Sequence, residues 1–342
     1  MKIPSSARYN YCCKKAIEFL INENIILFPF DADEIMRTYK WSNLKYSQLA
    51  LKHNVSINDI IESYDSEDGY TIFNGRNYSI TYNDTIATKQ RIYFTKLHEI
   101  GHIYLGHFKD FSETILSRSN ISESQYKVLE NEANCFARNV LSPIVLVDYL
   151  NLSESNIVNA FGVTNLAATT RIRLKHSDMY WITNGDYNLL LEHFKPFIYK
   201  ATHAYHCSNC QTVFVAENAN YCPICSNSAK KIKLHIRSDF DMIYPGYKVN
   251  ERGQLIQCIR CQNKEIEEGA YYCKICGASV VNECSNQNCR QLSASNARYC
   301  ILCGCDTTFY EQGLLPTWNI DDPAQEEAAS ELEIQFDDSI PF

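Results

Sequence analysis

A chain of 342 residues is long enough for two or three domains, and 45% apolar with 21% charged residues is ordinary for a core-forming protein rather than a disordered or fibrous one. A formal charge of −8 excludes a chain that grips nucleic acid along its whole length. No stretch approaches the roughly 20 apolar residues of a membrane span. The first residues, with Lys14, Lys15, Glu18 and Glu23 among apolar neighbours, also lack the hydrophobic run of a signal peptide. A cytoplasmic location follows as the expectation, and in a reducing cytosol sixteen cysteines imply metal sites rather than disulfides.

Residues 10–24 read as an amphipathic helix, and a second starts after Pro29 with Asp31 or Asp33 as its cap. Cys12 and Cys13, adjacent and with no second pair nearby, read as structural thiols. Residues 44–64 suggest one or two short helices with a weak helix-turn-helix pattern and no basic recognition face. From Gly69 to Tyr82, Asn74-Gly75 sits between two alternating runs, which predicts a hairpin with a type I′ turn. Its free edge can either take an extended peptide as an added strand or merely cover the next helix.

That helix, predicted over Arg91 to Phe108, carries His98-Glu99-x-x-His102. Residues four apart share a helical face, so the two imidazoles can converge on one metal ion, and Glu99 stands where a general base would act. Asp110 to Ser122 is polar and reads as a loop over the cleft. The next helix has apolar residues at 129, 133, 136, 137, 140 and 141 and ends before Pro143. Glu132 falls on its apolar face, where a carboxylate is costly unless paired or bound to metal, so His98, His102 and Glu132 are the expected ligands of an open catalytic zinc site. Glu130 is the weaker candidate, off the apolar stripe. His107 fits a longer zinc pattern worse, because Leu105 and Phe108 stand where Gly and His would be needed.

The two motifs, Phe94-Thr-x-x-His98-Glu99-Ile-Gly-His102-x-x-Leu-Gly-His107 and Glu132-Ala-Asn-x-Phe136-Ala-x-x-x-Leu141-x-Pro143, resemble the ImmA/IrrE family of bacterial zinc metallopeptidases over about residues 10 to 175. Cys135 and Ser142 stand where that family usually has other residues. The resemblance implies a gluzincin-like fold, zinc on His98, His102 and Glu132, Glu99 as base, and as substrate a repressor-like DNA-binding regulator of stress or mobile-element genes. A donor for the developing oxyanion is expected among Arg91, Tyr93, Tyr104 and His107. The turn Phe161-Gly-Val-Thr164, within a helix-turn-helix-like part at 153–175, carries Arg171, Arg173 and Lys175 at its end. The resemblance places such a module packed on the peptidase, and packing or substrate docking suits one module better than reading DNA.

The composition changes at Cys207. Cys207-x2-Cys210-x11-Cys222-x2-Cys225 and Cys258-x2-Cys261-x11-Cys273-x2-Cys276 share one spacing, each with a tyrosine (Tyr221, Tyr272) before its second pair. Cys284-x4-Cys289-x10-Cys300-x2-Cys303 repeats the scheme, with Cys305 as the alternative last ligand. Each reads as a fully ligated, structural zinc ribbon whose folding energy is the metal. Such a region is not usual in the family. Between Cys207 and Cys305, eleven Lys and Arg face eight Asp and Glu, while each four-thiolate centre adds about −2. That balance favours protein over nucleic-acid recognition.

The expectation is therefore an α+β chain: a mostly helical zincin-like metallopeptidase domain with a small sheet over 1–200, then three zinc ribbons. These span 201–237 and, after a turn-rich connector at 238–256, the pair at 257–305. An acidic, disordered tail fills 306–342. One catalytic and three structural Zn2+ are expected. The function expected is zinc-dependent endopeptidase, with ribbons for substrate or partner recognition. The alternative is a ribbon-based nucleic-acid-binding regulator with the peptidase-like domain as sensor.

Overall fold

A computed structural model describes residues 3–110, 122–236, 242 and 244–319, and the chain divides into two compact units between Ile198 and Tyr199. It is α+β, and no helix among the described residues is long and apolar enough to cross a membrane.

In the first unit, α1 (Tyr9–Asn22), α5 (Lys89–Tyr104) and α7 (Glu123–Leu141) form the centre. The first buries Cys12, Cys13, Ala16, Ile17, Phe19 and Leu20, the helical spacing expected of one apolar face. Ser122 caps α7 in a reciprocal pair with Gln125, and Leu129, Ala133, Phe136, Ala137 and Val140 form its buried stripe. Phe19 meets Phe136 edge-on at 5.4 Å. Between α5 and α7 the backbones come close at Gly101, where an added Cβ would lie 2.9 Å from Phe136 Cδ1. Glycine in the His-Glu motif is thus what lets the two site-bearing helices approach.

Ahead of α5 come α2 (Ala32–Thr38), with Asp31 accepting from Asp33 N, then strand β1 (Ser42–Lys45), α3 (Tyr46–His53) and α4 (Ile57–Tyr64). The hairpin follows as β2 (Gly69–Phe73) and β3 (Tyr78–Tyr82). Its register pairs Phe73 with Tyr78 and Asn74 N donates to Asn77 O at 3.2 Å, so the tight connection centres on Gly75-Arg76, one residue beyond the Asn-Gly type I′ turn expected. Asn74 Oδ1 accepts from the amides of Arg76 and Asn77, and only Gly75 of the Asn-Gly pair has positive φ. β1 joins β3 in parallel, an unexpected third strand, so the sheet order is β1-β3-β2. The outer edge of β2 is left unpaired within that sheet.

After α5, α6 (His107–Asp110) is one short turn, and the expected polar loop to Ser122 lies almost wholly outside the described residues. Beyond α7 come α8 (Ile144–Tyr149), α9 (Glu154–Phe161), α10 (Asn165–Arg173), α11 (Lys175–Tyr180), α12 (Asn184–His193) and α13 (Lys195–Thr202). The α9–α10 pair has the helix-turn-helix look, with Gly162 left-handed and Thr164 capping. Two of its three cations are spent on packing: Arg171 is buried on Asp178 (2.5 Å) and Asn139 (2.8 Å), and Lys175 binds Asp148 at 2.7 Å, while Arg173 is exposed.

The second unit holds β4 (Ala204–His206), β5 (Val213–Val215) and β6 (Lys230–Lys231) in the order β5-β4-β6, three cysteine clusters, and α14 (Thr308–Glu311). Two of the expected boundaries move. Chain placed in the connector is folded, with Leu255 buried and Tyr244 and Tyr247 donating to Cys210 O and Leu314 O. The segment expected as tail from 306 is folded as far as 319, because Phe309, Leu314 and Leu315 are buried in one core with Cys258 and Cys273. Residues 320–342 lie outside the described residues.

Candidate metal centres and a cleft

Within α5, the four-residue spacing places His98 and His102 as expected, their Nε2 atoms 3.0 Å apart. The carboxylate that joins them is Glu130, not Glu132. Glu130 Oε2 lies 3.2 Å from His98 Nε2 and Oε1 lies 3.3 Å from His102 Nε2. Ligands bound at the usual 2.0–2.1 Å in a tetrahedron lie about 3.3–3.4 Å from one another, so the three atoms have the spacing of a group that can hold one metal ion.

Glu132 is where the sequence placed it, on the buried stripe of α7, but its cost is met by a different partner. Arg8 N and Nε donate to Oε1 at 2.8 and 2.9 Å, and Arg8 donates through its guanidinium to Oε2 at 2.7 Å. On the other side His107 Nε2 lies 3.1 Å from Oε2. Burial pushes Glu132 up, yet Arg8 and His107 pull it down to about 2. A partner 124 residues upstream is invisible to periodicity. A signal for Glu130 did exist: Tyr126, Glu130 and Asn134 recur every four residues, a polar stripe beside the apolar one, and all three line the cleft.

Each imidazole is oriented from behind. His98 Nδ1 lies 3.0 Å from Asn134 Oδ1, and His102 Nδ1 lies 2.8 Å from His107 Nδ1. With both Nε2 atoms unprotonated toward the cluster, Nδ1–H of His98 donates to Asn134, Nδ1–H of His102 to His107, and Nε2–H of His107 to Glu132. That assignment gives every nitrogen a consistent role, the pattern expected behind metal-binding histidines. Burial alone would pull His98 down, but Glu130 outweighs it and holds the imidazole up at about 9. Burial keeps His102 below its ordinary value. Glu130 is raised by burial, yet His102 and His98 hold it far below the carboxylate range. Glu130, held ionised between the two imidazoles, is the negative charge that a cation among the three side chains would meet.

No protein-family model and no curated protein matches this chain.

The cluster opens onto a cavity of about 680 Å³. Glu99 lines it, buried, with Thr71 Oγ1 of β2 donating to Oε2 at 2.8 Å, and burial pushes its carboxyl up to about 7. Of the expected oxyanion donors only Arg91 lines the cavity, and it is paired with Asp68 at 2.6 Å. Tyr93 donates to Phe30 O, Tyr104 to Glu23, and His107 stands behind His102. Tyr126, unremarked in the sequence, lines the cavity beside Glu130.

In the second unit the cysteines group as spaced: Cys207, Cys210, Cys222 and Cys225; Cys258, Cys261, Cys273 and Cys276; Cys284, Cys289, Cys300 and Cys303. Paired sulfurs lie 3.4 to 3.7 Å apart, too far for disulfides and close to the roughly 3.8 Å edge of a tetrahedron with 2.3 Å bonds. Each cluster can hold a metal ion. Cys303 rather than Cys305 completes the third: Cys305 O accepts from Cys300 N just as Asn227 O does from Cys222 and Ala278 O from Cys273. Its equivalents, Asn227 and Ala278, are not thiols.

Proposed function

We propose that the chain is a zinc-dependent endopeptidase of the zincin type, akin to the ImmA/IrrE family. His98, His102 and Glu130 hold the catalytic metal, Glu99 is the general base, and the ribbons serve substrate or partner recognition. The observation that carries it is the meeting of two Nε2 atoms and one carboxylate within 3.0 to 3.3 Å, in the wall of a cavity that Glu99 also lines. Zinc bound there supplies Lewis acidity toward a carbonyl and lowers the pKa of water. The remaining work belongs to side chains. Thr71 occupies Oε2 of Glu99, leaving Oε1 to take the proton of the attacking water and return it to the leaving amine. Glu130 and the relay behind His102 keep both imidazoles facing one point. Gly69, Tyr70 and Thr71 of the edge strand β2 line the cavity, so an extended peptide can add to that edge across the site. Arg91 and Tyr126 are among the cavity-lining side chains that carry a donor an oxyanion could use.

Following the resemblance, the substrate is a repressor-like DNA-binding regulator. The test uses the zinc-loaded full chain and its Glu99→Gln variant with a co-encoded repressor. The expected result is equal zinc in both and cleavage by wild type alone. Equal zinc with no cleavage by either, together with salt-sensitive DNA binding, would favour the regulator reading instead.

A further inference from the structure

Ribbons one and three are joined by a contact that reads the same from both sides. Asn220 N and Tyr221 N donate to Ile301 O at 2.8 and 3.0 Å, while Arg298 N and Tyr299 N donate to Pro223 O at 2.7 and 3.0 Å. In each ribbon the donors are the two residues before the third cysteine, and the acceptor is the residue after it. The pairing is thus pseudo-twofold. Ser226 Oγ adds a bond to Gly304 O at 2.9 Å, and a Cβ at Gly304 would stand 3.1 Å from the Tyr221 ring.

Ribbon two carries the same knuckle, Tyr271-Tyr272-Cys273-Lys274-Ile275-Cys276-Gly277. Its backbone repeats the others: Cys273 N donates to Ala278 O at 2.8 Å, and Gly277 is left-handed at φ 72° as Gly304 is at 75°. The bridge Tyr272–Ser279 matches Tyr221–Ser228 and Tyr299–Asp306. Yet among the described residues no hydrogen bond engages Tyr271 N–H, Tyr272 N–H or Lys274 C=O, the groups that hold ribbons one and three together. The face is also apolar and open, with Tyr271 54%, Tyr272 58% and Ile275 67% exposed.

We infer that the ribbon-two knuckle is a homotypic docking surface, and that its occupant is the same knuckle of a second copy of this chain. The contact type is self-complementary, three knuckles leave one unmatched, and an isologous pair closes at two copies. Lys274 lies 3.5 and 3.6 Å from Glu265 and Glu267, so facing lysines do not bring unbalanced like charges together. The area is that of a small interface, and the intermolecular pair lacks the tether that raises the effective concentration of ribbons one and three. The dimer is therefore weak and dilution-sensitive. The inference is independent of peptidase activity.

Sedimentation velocity of the zinc-loaded full chain over roughly a hundredfold dilution series tests it. The expected result is an average mass rising reversibly toward twice that of one chain. A Tyr272→Ser, Ile275→Asp double variant should stay monomeric with its zinc content unchanged. A monomer at every concentration overturns the inference, as does a dimer that the double variant leaves intact. A monomer whose Tyr271 and Tyr272 become protected only on adding single-stranded nucleic acid also overturns it, since the occupant is then a stacked base.

Discussion

Two glutamates two residues apart on α7 have different partners, and on the proposed assignment of one zinc to each of four sites zinc content separates them. Glu130→Gln should lower the zinc from four to three per chain, since it removes the carboxylate shared by His98 and His102. Glu132→Gln should leave four sites but weaken the α5 one about 10- to 100-fold in chelator competition, because it loosens the His107–His102 orientation. Equal zinc loss in both variants would mean that Glu132 is a ligand after all. Another buried carboxylate, Asp178, is raised by burial but lowered further by Arg138 and Arg171, ending below its ordinary 3.8. A lowered folded value means its contribution is complete above about pH 4 and fades as pH falls below that. Asp178→Asn should cost about 3–5 kcal/mol at neutral pH, leaving Arg171 buried without its anion, and the gap from wild type in urea unfolding should narrow below pH 4. At this scale the sequence was legible where partners share a helix, as in the His98–His102 pair. It was not legible where they come from remote chain: nothing near Arg8 marks it as the cation of Glu132.

The elements that carry the site depend on close approach. At Gly101 a methyl group would press on the buried Phe136 ring, and at Gly69 it would meet Thr81 O at 2.6 Å and Thr95 Cγ2 at 2.8 Å. Gly101→Ala should destabilise by about 1–3 kcal/mol and weaken zinc binding, because α7 must shift and carries Glu130 with it. Chemical denaturation followed by chelator competition checks both. An unchanged zinc affinity would mean that Phe136 yields without moving the helix. Helices and hairpin were readable from period and cap signals, since α1, α2, α5 and α7 state their apolar faces locally. β1 was not: four residues, Ser42 to Lys45, carry no alternation, and they become a strand only because β3 offers a parallel partner. The hairpin turn lies one residue on from Asn-Gly because Asn74 Oδ1 accepts from the amides of Arg76 and Asn77, which holds Asn74 at the strand end opposite Asn77 rather than inside the turn.

Over the whole molecule the two units draw their stability from different sources. The first has an aliphatic and aromatic interior around Phe19, Phe136 and Leu97. In the second the interior is the cysteines themselves: Cys207, Cys210 and Cys222 with Ile224, and Cys258 and Cys273 with Leu255, Val280 and Phe309. Cysteine spacing alone disclosed these clusters. The folding of residues 306–319 stayed hidden, because Phe309, Leu314, Leu315 and Trp318 show no period and pack against residues of the cysteine clusters that lie far from them in sequence. That dependence gives the last prediction. If each cysteine cluster holds zinc as proposed, a strong chelator removes the ion on which thiolates of one cluster can stay 3.4 to 3.7 Å apart, and their mutual repulsion then opposes the fold. Hydrogen exchange should lose protection across residues 199–236 and 244–319 together, including the segment around Phe309 that binds no metal. The helices α1 and α7 should keep theirs, since they pack through the aliphatic and aromatic interior around Phe19 and Phe136. Trp318, packed against the first cluster, should report the same transition by fluorescence. Protection retained at Phe309 while the cysteine segments exchange would show that this stretch folds on its own core, and the dependence on metal would end at the knuckles.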